Sequence, residues 1–144
     1  MCKITQLSVF IENKKGRFAH VVQLLGEKDV NIRAMSLADT VDFGILRFVV
    51  DKPDVAYSIL KENGLIVRKD EVLAMEVEDK PGGLAKLLQS ITKQDLSIEY
   101  MYTFNNVLSG KAVMIFRFED TVEAIERLKE ISVGLLPSDY FWGI

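Results

Sequence analysis

At 144 residues, 49% hydrophobic and 27% charged, the chain has the composition of one ordinary globular domain or two small ones, which excludes a disordered or fibrous class. A net charge of −3, with lysines and arginines scattered, offers no basic stripe for nucleic acid. The single cysteine, Cys2, excludes an intrachain disulfide and a thiolate metal cluster; no apolar run approaches the roughly 18 residues of a membrane span, and the first residues lack signal-peptide order, so the expected setting is the cytoplasm.

In chain order, Leu7, Val9 and Ile11 alternate with polar or small residues, as a strand with one buried face does. A polar loop with one glycine, Glu12-Asn13-Lys14-Lys15-Gly16-Arg17, leads to Phe18, Val22 and Leu25, spaced as the inner stripe of a helix. A second strand follows in "DVNIRAM", residues 29–35, then a hairpin turn at 39–44 and a third strand on Leu46, Phe48 and Val50. Asp51-Lys52-Pro53-Asp54 opens a second helix, which carries Ala56 and Leu60 and stops at Asn63-Gly64. A short, weakly marked strand is predicted at 65–68.

Sliding the chain 66 residues along itself brings Gly82 onto Gly16 and repeats this order. Leu73, Met75 and Val77 match the first strand, Leu84, Leu88 and Ile91 the helical stripe, and "DLSIEYM", residues 95–101, the second strand. Two extra residues fall in the turn at 105–110, after which Met114, Phe116, Phe118, Ala124 and Leu128 continue the match; the last strand is predicted at 133–136, before Pro137 and the aromatic tail Tyr140, Phe141 and Trp142. Each half reads βαββαβ, so the expected fold is α+β, two ferredoxin-like repeats packed side by side, each an antiparallel sheet with two helices on one face, with domains at 1–69 and 70–144. Halves of this size are marginal alone. Apolar residues assigned to the outward face, Phe10, Met35, Leu37, Met101, Val113 and Ile115, suggest that this face covers the other half or a second copy of the chain.

The strand ending in Asp79-Lys80-Pro81-Gly82-Gly83-Leu84, followed by a helix and by Asp95-Leu96-Ser97-Ile98, resembles an ACT domain, and the chain as a whole resembles a tandem pair of them. The resemblance implies a non-catalytic regulatory sensor of amino-acid metabolism. It implies paired domains, a free amino acid bound at the seam between two of them, a homodimer, and an amino-acid-metabolising enzyme as partner, with no cofactor or metal. It also implies that Asn13 and Asp79 hold the polar ligand-contacting position, and that the opposite wall comes from the neighbouring domain's second strand. That wall is Asn31, Ile32 and Ala34, or Ser97, Ile98 and Tyr100.

The residues supply a physical reason for such use. A strand-to-helix loop ends at a helix N-terminus, whose unpaired N–H groups and positive dipole end attract a carboxylate. Gly16, Gly82 and Gly83 let a ligand approach the backbone, and Pro81 fixes the loop's entry. The same features also serve a tight connection with no ligand. Lys14, Lys15 and Arg17 make the first loop suited to an anion, whereas Glu78 and Asp79 beside Lys80 suit an ammonium group. The expectation is therefore two inequivalent sites, the stronger formed by 78–84 against 31–35. Phe18, Met35, Tyr100 and Met101 are the side chains expected to set selectivity.

No G-x-S-x-G, G-x-x-x-x-G-K-[ST], H-E-x-x-H or G-x-G-x-x-G pattern occurs. His20, the only histidine, matches Lys86 in the repeat and reads as a surface residue. Two other classes stand beside the sensor: a docking module that uses its apolar sheet face or aromatic tail, and an enzyme on a ferredoxin-like scaffold.

Overall fold

Both polar loops do form a strand-to-helix corner, and the elements around them follow the predicted order. The computed structural model describes residues 2–39, 42–106 and 111–139, with the side chains of Asn105 and Asn106 outside the description. The elements are β1 (Ile4–Glu12), α1 (Arg17–Glu27), β2 (Ile32–Asp39), β3 (Phe43–Val50), α2 (Pro53–Glu62), β4 (Ile66–Glu78), α3 (Gly83–Lys93), β5 (Ile98–Asn106), β6 (Lys111–Phe118), α4 (Thr121–Lys129) and β7 (Gly134–Leu135). The tips of the turns at 40–41 and 107–110, and the aromatic tail at 140–142, lie outside the described residues.

Local chemistry explains the helix boundaries. Pro53 occupies the first turn of α2, where its missing N–H costs nothing, and Asn63 and the left-handed Gly64 end that helix. Asp120 caps α4, accepting from the Glu123 N–H at 3.1 Å.

The chain divides into two compact units, Thr5–Asp70 and the described part of Glu71–Ile144 with Met1–Ile4. In the first, β3 lies between β1 and β2, antiparallel to both. Leu7, Val9 and Ile11 of β1, with Leu46, Phe48 and Val50 of β3, pack under Val21 and Leu25 of α1 and Ala56 and Leu60 of α2. The second unit repeats this: β6 lies between β4 and β5, and Leu73, Met75, Met114, Phe116 and Phe118 pack under Leu87, Ile91, Ala124 and Leu128. These are ferredoxin-like repeats with both helices on one face.

Three expectations need correction. The strand predicted at 65–68 and the one through Leu73 are a single strand, β4, because the polar run Arg68-Lys69-Asp70-Glu71 contains no glycine or proline to break it. At the other end, β7 is only two residues long, extended by the Leu136 N–H donating to the Ala74 carbonyl at 2.9 Å. On α1 and α3 the buried positions are Val21 and Leu25, and Leu87 and Ile91; Val22 is 38% exposed and Leu88 half-buried, since the inner stripe runs one residue earlier around the helix.

The third correction concerns the sheet faces. Ile32 pairs with Val50 but Ala34 pairs with Val49, so Arg33 is an extra residue in β2; Ile98 and Tyr100 pair with Phe118 and Arg117, so Glu99 is the matching extra residue in β5. One inserted residue flips every later side chain to the other face. Met35 and Leu37 therefore stand beside Phe48 and Leu46, and Met101 beside Phe116, on the helix-bearing face rather than the outward one. Val113 and Ile115, fully buried, and half-buried Phe10 do lie on the opposite face.

Candidate functional site

The corner after β4 is built by backbone. The Lys80 N–H donates to the Glu78 carbonyl at 2.9 Å and the Gly83 N–H to the Lys80 carbonyl at 3.0 Å, which turns the chain into α3. Gly82, at φ 84°, is the helix N-cap in the left-handed region, and no side chain caps the helix. A Cβ on Gly83 would collide with the Glu78 carbonyl oxygen, so only glycine fits this turn as it is folded. The Lys86 N–H donates to the Gly82 carbonyl at 3.0 Å, and the N–H groups of Leu84 and Ala85 take part in none of these bonds.

The corner after β1 has the same hydrogen-bond pattern, with Arg17 where the second corner has Gly83. Lys14 N–H to Glu12 carbonyl is 2.8 Å, Arg17 N–H to Lys14 carbonyl 3.2 Å, and His20 N–H to Gly16 carbonyl 3.0 Å, with Gly16 at φ 86°. Lys14 Nζ lies 2.9 Å from the Glu12 carboxylate, as Lys80 Nζ lies 2.7 Å from that of Glu78. The hydrogen bond from the lysine holds each carboxyl, Glu12 and Glu78, below its usual range, and the Glu78 carboxylate raises the Lys80 ammonium. The charge contrast expected between the loops is thereby reduced, because in both the glutamate and its lysine neutralise each other at short range.

The other expected site residues are placed as follows. The Asn13 side-chain amide donates to Asp39 at 2.9 Å and its N–H to the Asp42 carbonyl at 3.1 Å, tying the loop to the β2–β3 end of its own unit. Phe18 sits over Gly44, with Leu37 beside it. Lys15 and Arg17 are exposed. Asn31 lies at the far end of β2, exchanging hydrogen bonds with Asp51, and Ile32, Ala34 and Met35 follow it. Asn31 is roughly 25 Å from Asp39 and the loop at about 3.3 Å per strand residue. Ser97, Ile98, Tyr100 and Met101 occupy the corresponding end of β5, so neither unit by itself joins its loop to its own second-strand start.

The second unit does bring the loop against other residues. A pocket of about 300 Å³ opens beside the start of α3, lined by Lys80, Pro81, Gly82 and Gly83 of the loop and by Lys86, Leu87 and Ser90 of the helix. Glu76, Val77 and Glu78 of β4 line a second side, and Ser132, Val133 and Gly134 close it. Asp79 and Leu84, both expected at the ligand, are absent from its lining. Sequence reasoning missed Lys86, Ser90 and the 132–134 wall. The signal for that wall is Gly134 inside a strand, where an added Cβ would lie 3.1 Å from Glu76 across the pair.

Among the described residues no cluster of histidine, cysteine, aspartate and glutamate has metal-site geometry, and no helix is long and apolar enough to cross a membrane.

A family profile described as an ACT domain pair matches residues 2–136. The crystal structure of protein BT0572 from Bacteroides thetaiotaomicron superposes with a TM-score of 0.91 at 37% identity, covering 99% of this chain and 98% of that one. The regulatory subunit of aspartate kinase from Thermus thermophilus, in its ligand-free form, superposes at 0.62 with 19% identity, covering 88% and 91%, and that from Thermus flavus at 0.61 with 17%, covering 90% and 93%. No curated protein matches the sequence.

Proposed function

Because the chain belongs to the family of ACT domain pairs, we propose that it is a non-catalytic regulatory protein that binds a free amino acid and controls an enzyme of amino-acid metabolism. Its domains, 1–69 and 70–144, act as a cytoplasmic homodimer. The observation that carries this reading is the pocket of about 300 Å³ at the uncapped start of α3. Its size is at the lower end of the roughly 300–1,000 Å³ of small-molecule sites. Its lining provides a cation at Lys86, carboxylates at Glu76 and Glu78, and an apolar floor, which are the three chemistries of an α-amino acid.

The test is thermal denaturation of ligand-stripped protein with each of the twenty amino acids. A true ligand at 100 times its dissociation constant stabilises by about 2.7 kcal/mol. No shift with any of them overturns the sensor reading and favours a docking module. That second reading has its own observation: Met35, Leu37 and Phe43, on and beside the edge strand β2, are about half exposed.

A further inference from the structure

The internal repeat allows the pocket to be compared with its own counterpart in the same chain. Gly83, Ser90 and Gly134, three small residues of its lining, correspond to Arg17, Leu24 and Ile66 in the first repeat, and Lys86 corresponds to His20. The first repeat thus keeps the corner's hydrogen bonds but carries larger side chains at three of these positions, Leu24 half-buried and Arg17 and Ile66 exposed. The charges inside the pocket are also apportioned. Glu76 pairs with Lys111 at 3.4 Å and Glu78 with Lys80 at 2.7 Å, whereas among the described residues Lys86 has no ion pair. Val77, Leu87 and Val133 form the apolar part of the lining, and Val77 and Leu87 are buried.

We infer that the chain holds one amino-acid pocket, in the second repeat, and that it selects a small amino acid with an uncharged aliphatic side chain. The inference rests on the sensor reading and narrows it. Among the described residues Lys86 is the one lining charge with no close ion pair, feeling Glu78 only at longer range, and the α-carboxylate satisfies it. The ammonium group meets Glu78, which then faces two cations, Lys80 and the ligand, and Glu76 is already paired with Lys111. A cationic side chain then finds no free carboxylate in the lining, and a charged side chain of either sign would lose hydration against Val77, Leu87 and Val133. An aliphatic side chain packs against the same three residues without that cost and covers what is left open of Val133.

The experiment is calorimetric titration of the full chain with alanine, valine, leucine and isoleucine, and with aspartate, glutamate, lysine and arginine. Expected is binding of an aliphatic member at one per chain, with the backbone amide NMR shifts concentrated at 132–134 and 82–86 rather than at 16–20. Lys86→Met should weaken that binding about tenfold or more, the scale of a charged hydrogen bond. Ser90→Leu, a substitution that favours helix, should block it while the circular dichroism stays unchanged. Preferred binding of a charged amino acid, two equal sites per chain, or full affinity in Ser90→Leu overturns the inference while leaving the sensor reading intact. Failure of all twenty amino acids in the thermal assay overturns the sensor reading itself, and this inference with it.

Discussion

Gly44 and Phe18 compete for one volume: a Cβ on residue 44 would lie 2.5 Å from Cζ of the Phe18 ring and 2.9 Å from Cε1. The pairing of Ile11 with Gly44 and of Val77 with Ala112 makes Ala112 the equivalent of Gly44, and the internal shift makes Leu84 the equivalent of Phe18. The first repeat sets a large side chain over no side chain, and the second a smaller one over a methyl group.

Gly44→Ala should therefore destabilise by about 1–3 kcal/mol through overpacking. Combining it with Phe18→Leu recreates the Leu84 and Ala112 combination, so the double variant should be more stable than the sum of the singles predicts, by on the order of 1 kcal/mol. Urea denaturation of the three variants measures this. Strict additivity would show that the two side chains do not share the volume.

At the glycine corners, Gly16 and Gly82 have φ of 86° and 84°, and a Cβ at either would meet nothing within 4 Å. Alanine there carries only the backbone penalty of the left-handed region, roughly 1–2 kcal/mol, and the two substitutions should cost the same. Gly83→Ala should cost more, because its Cβ meets the Glu78 carbonyl as well. The ordering of the melting temperatures decides: Gly83→Ala as mild as Gly82→Ala contradicts the folded loop.

Those corners were legible in the sequence, as were the repeat, the helices and the hairpins, because glycine, proline and period-two or helical spacing act locally. The sheet faces were not. The flip of Met35, Leu37 and Met101 depends on the extra residues Arg33 and Glu99, and a bulge is a property of two strands in register that neither strand announces alone. The pocket was half legible: the loop from Lys80 to Gly83 carries its own signal, but Ser132, Val133 and Gly134 reach it only because β7 pairs with β4. Val22 was misassigned for a smaller reason, since Val21 and Val22 are chemically alike and only packing chooses between them.

The acidic limb of stability should report the two corner ion pairs. Glu12 and Glu78 titrate below the ordinary 4.5, so their contribution is complete above that pH and is lost as pH falls through the lowered folded values. Lys80 titrates above 10.5, so its contribution is complete below that pH and is lost as pH rises through the raised value. Carboxyl NMR titration should show both glutamates below 4.5. Lys80→Met should return Glu78 towards its ordinary value and leave Glu12 alone, and added salt should weaken both effects. A Glu78 midpoint unmoved by Lys80→Met would mean that the pair does not form in solution.

Ser8 and Asp70 make a buried polar contact that is costly to break. Ser8 is 1% exposed and its Oγ donates to Asp70 Oδ2 at 2.9 Å, while the Gln6 amide donates to the same Oγ at 3.2 Å. The Asp70 carboxylate, itself 9% exposed, takes Arg68 Nε at 3.1 Å, and that guanidinium lies 5.6 Å from the centre of the Phe10 ring. Asp70→Ala leaves the Ser8 hydroxyl buried without its acceptor, at a cost of about 1–3 kcal/mol. Arg68→Met should also destabilise, because it removes the counter-charge of a carboxylate that is nine-tenths buried. Adding Ser8→Ala to Asp70→Ala should recover part of the loss, since no hydroxyl then remains unsatisfied. Chemical denaturation of the set reads the outcome, and a double variant no better than Asp70→Ala alone would show that the penalty lies in the carboxylate's other contacts.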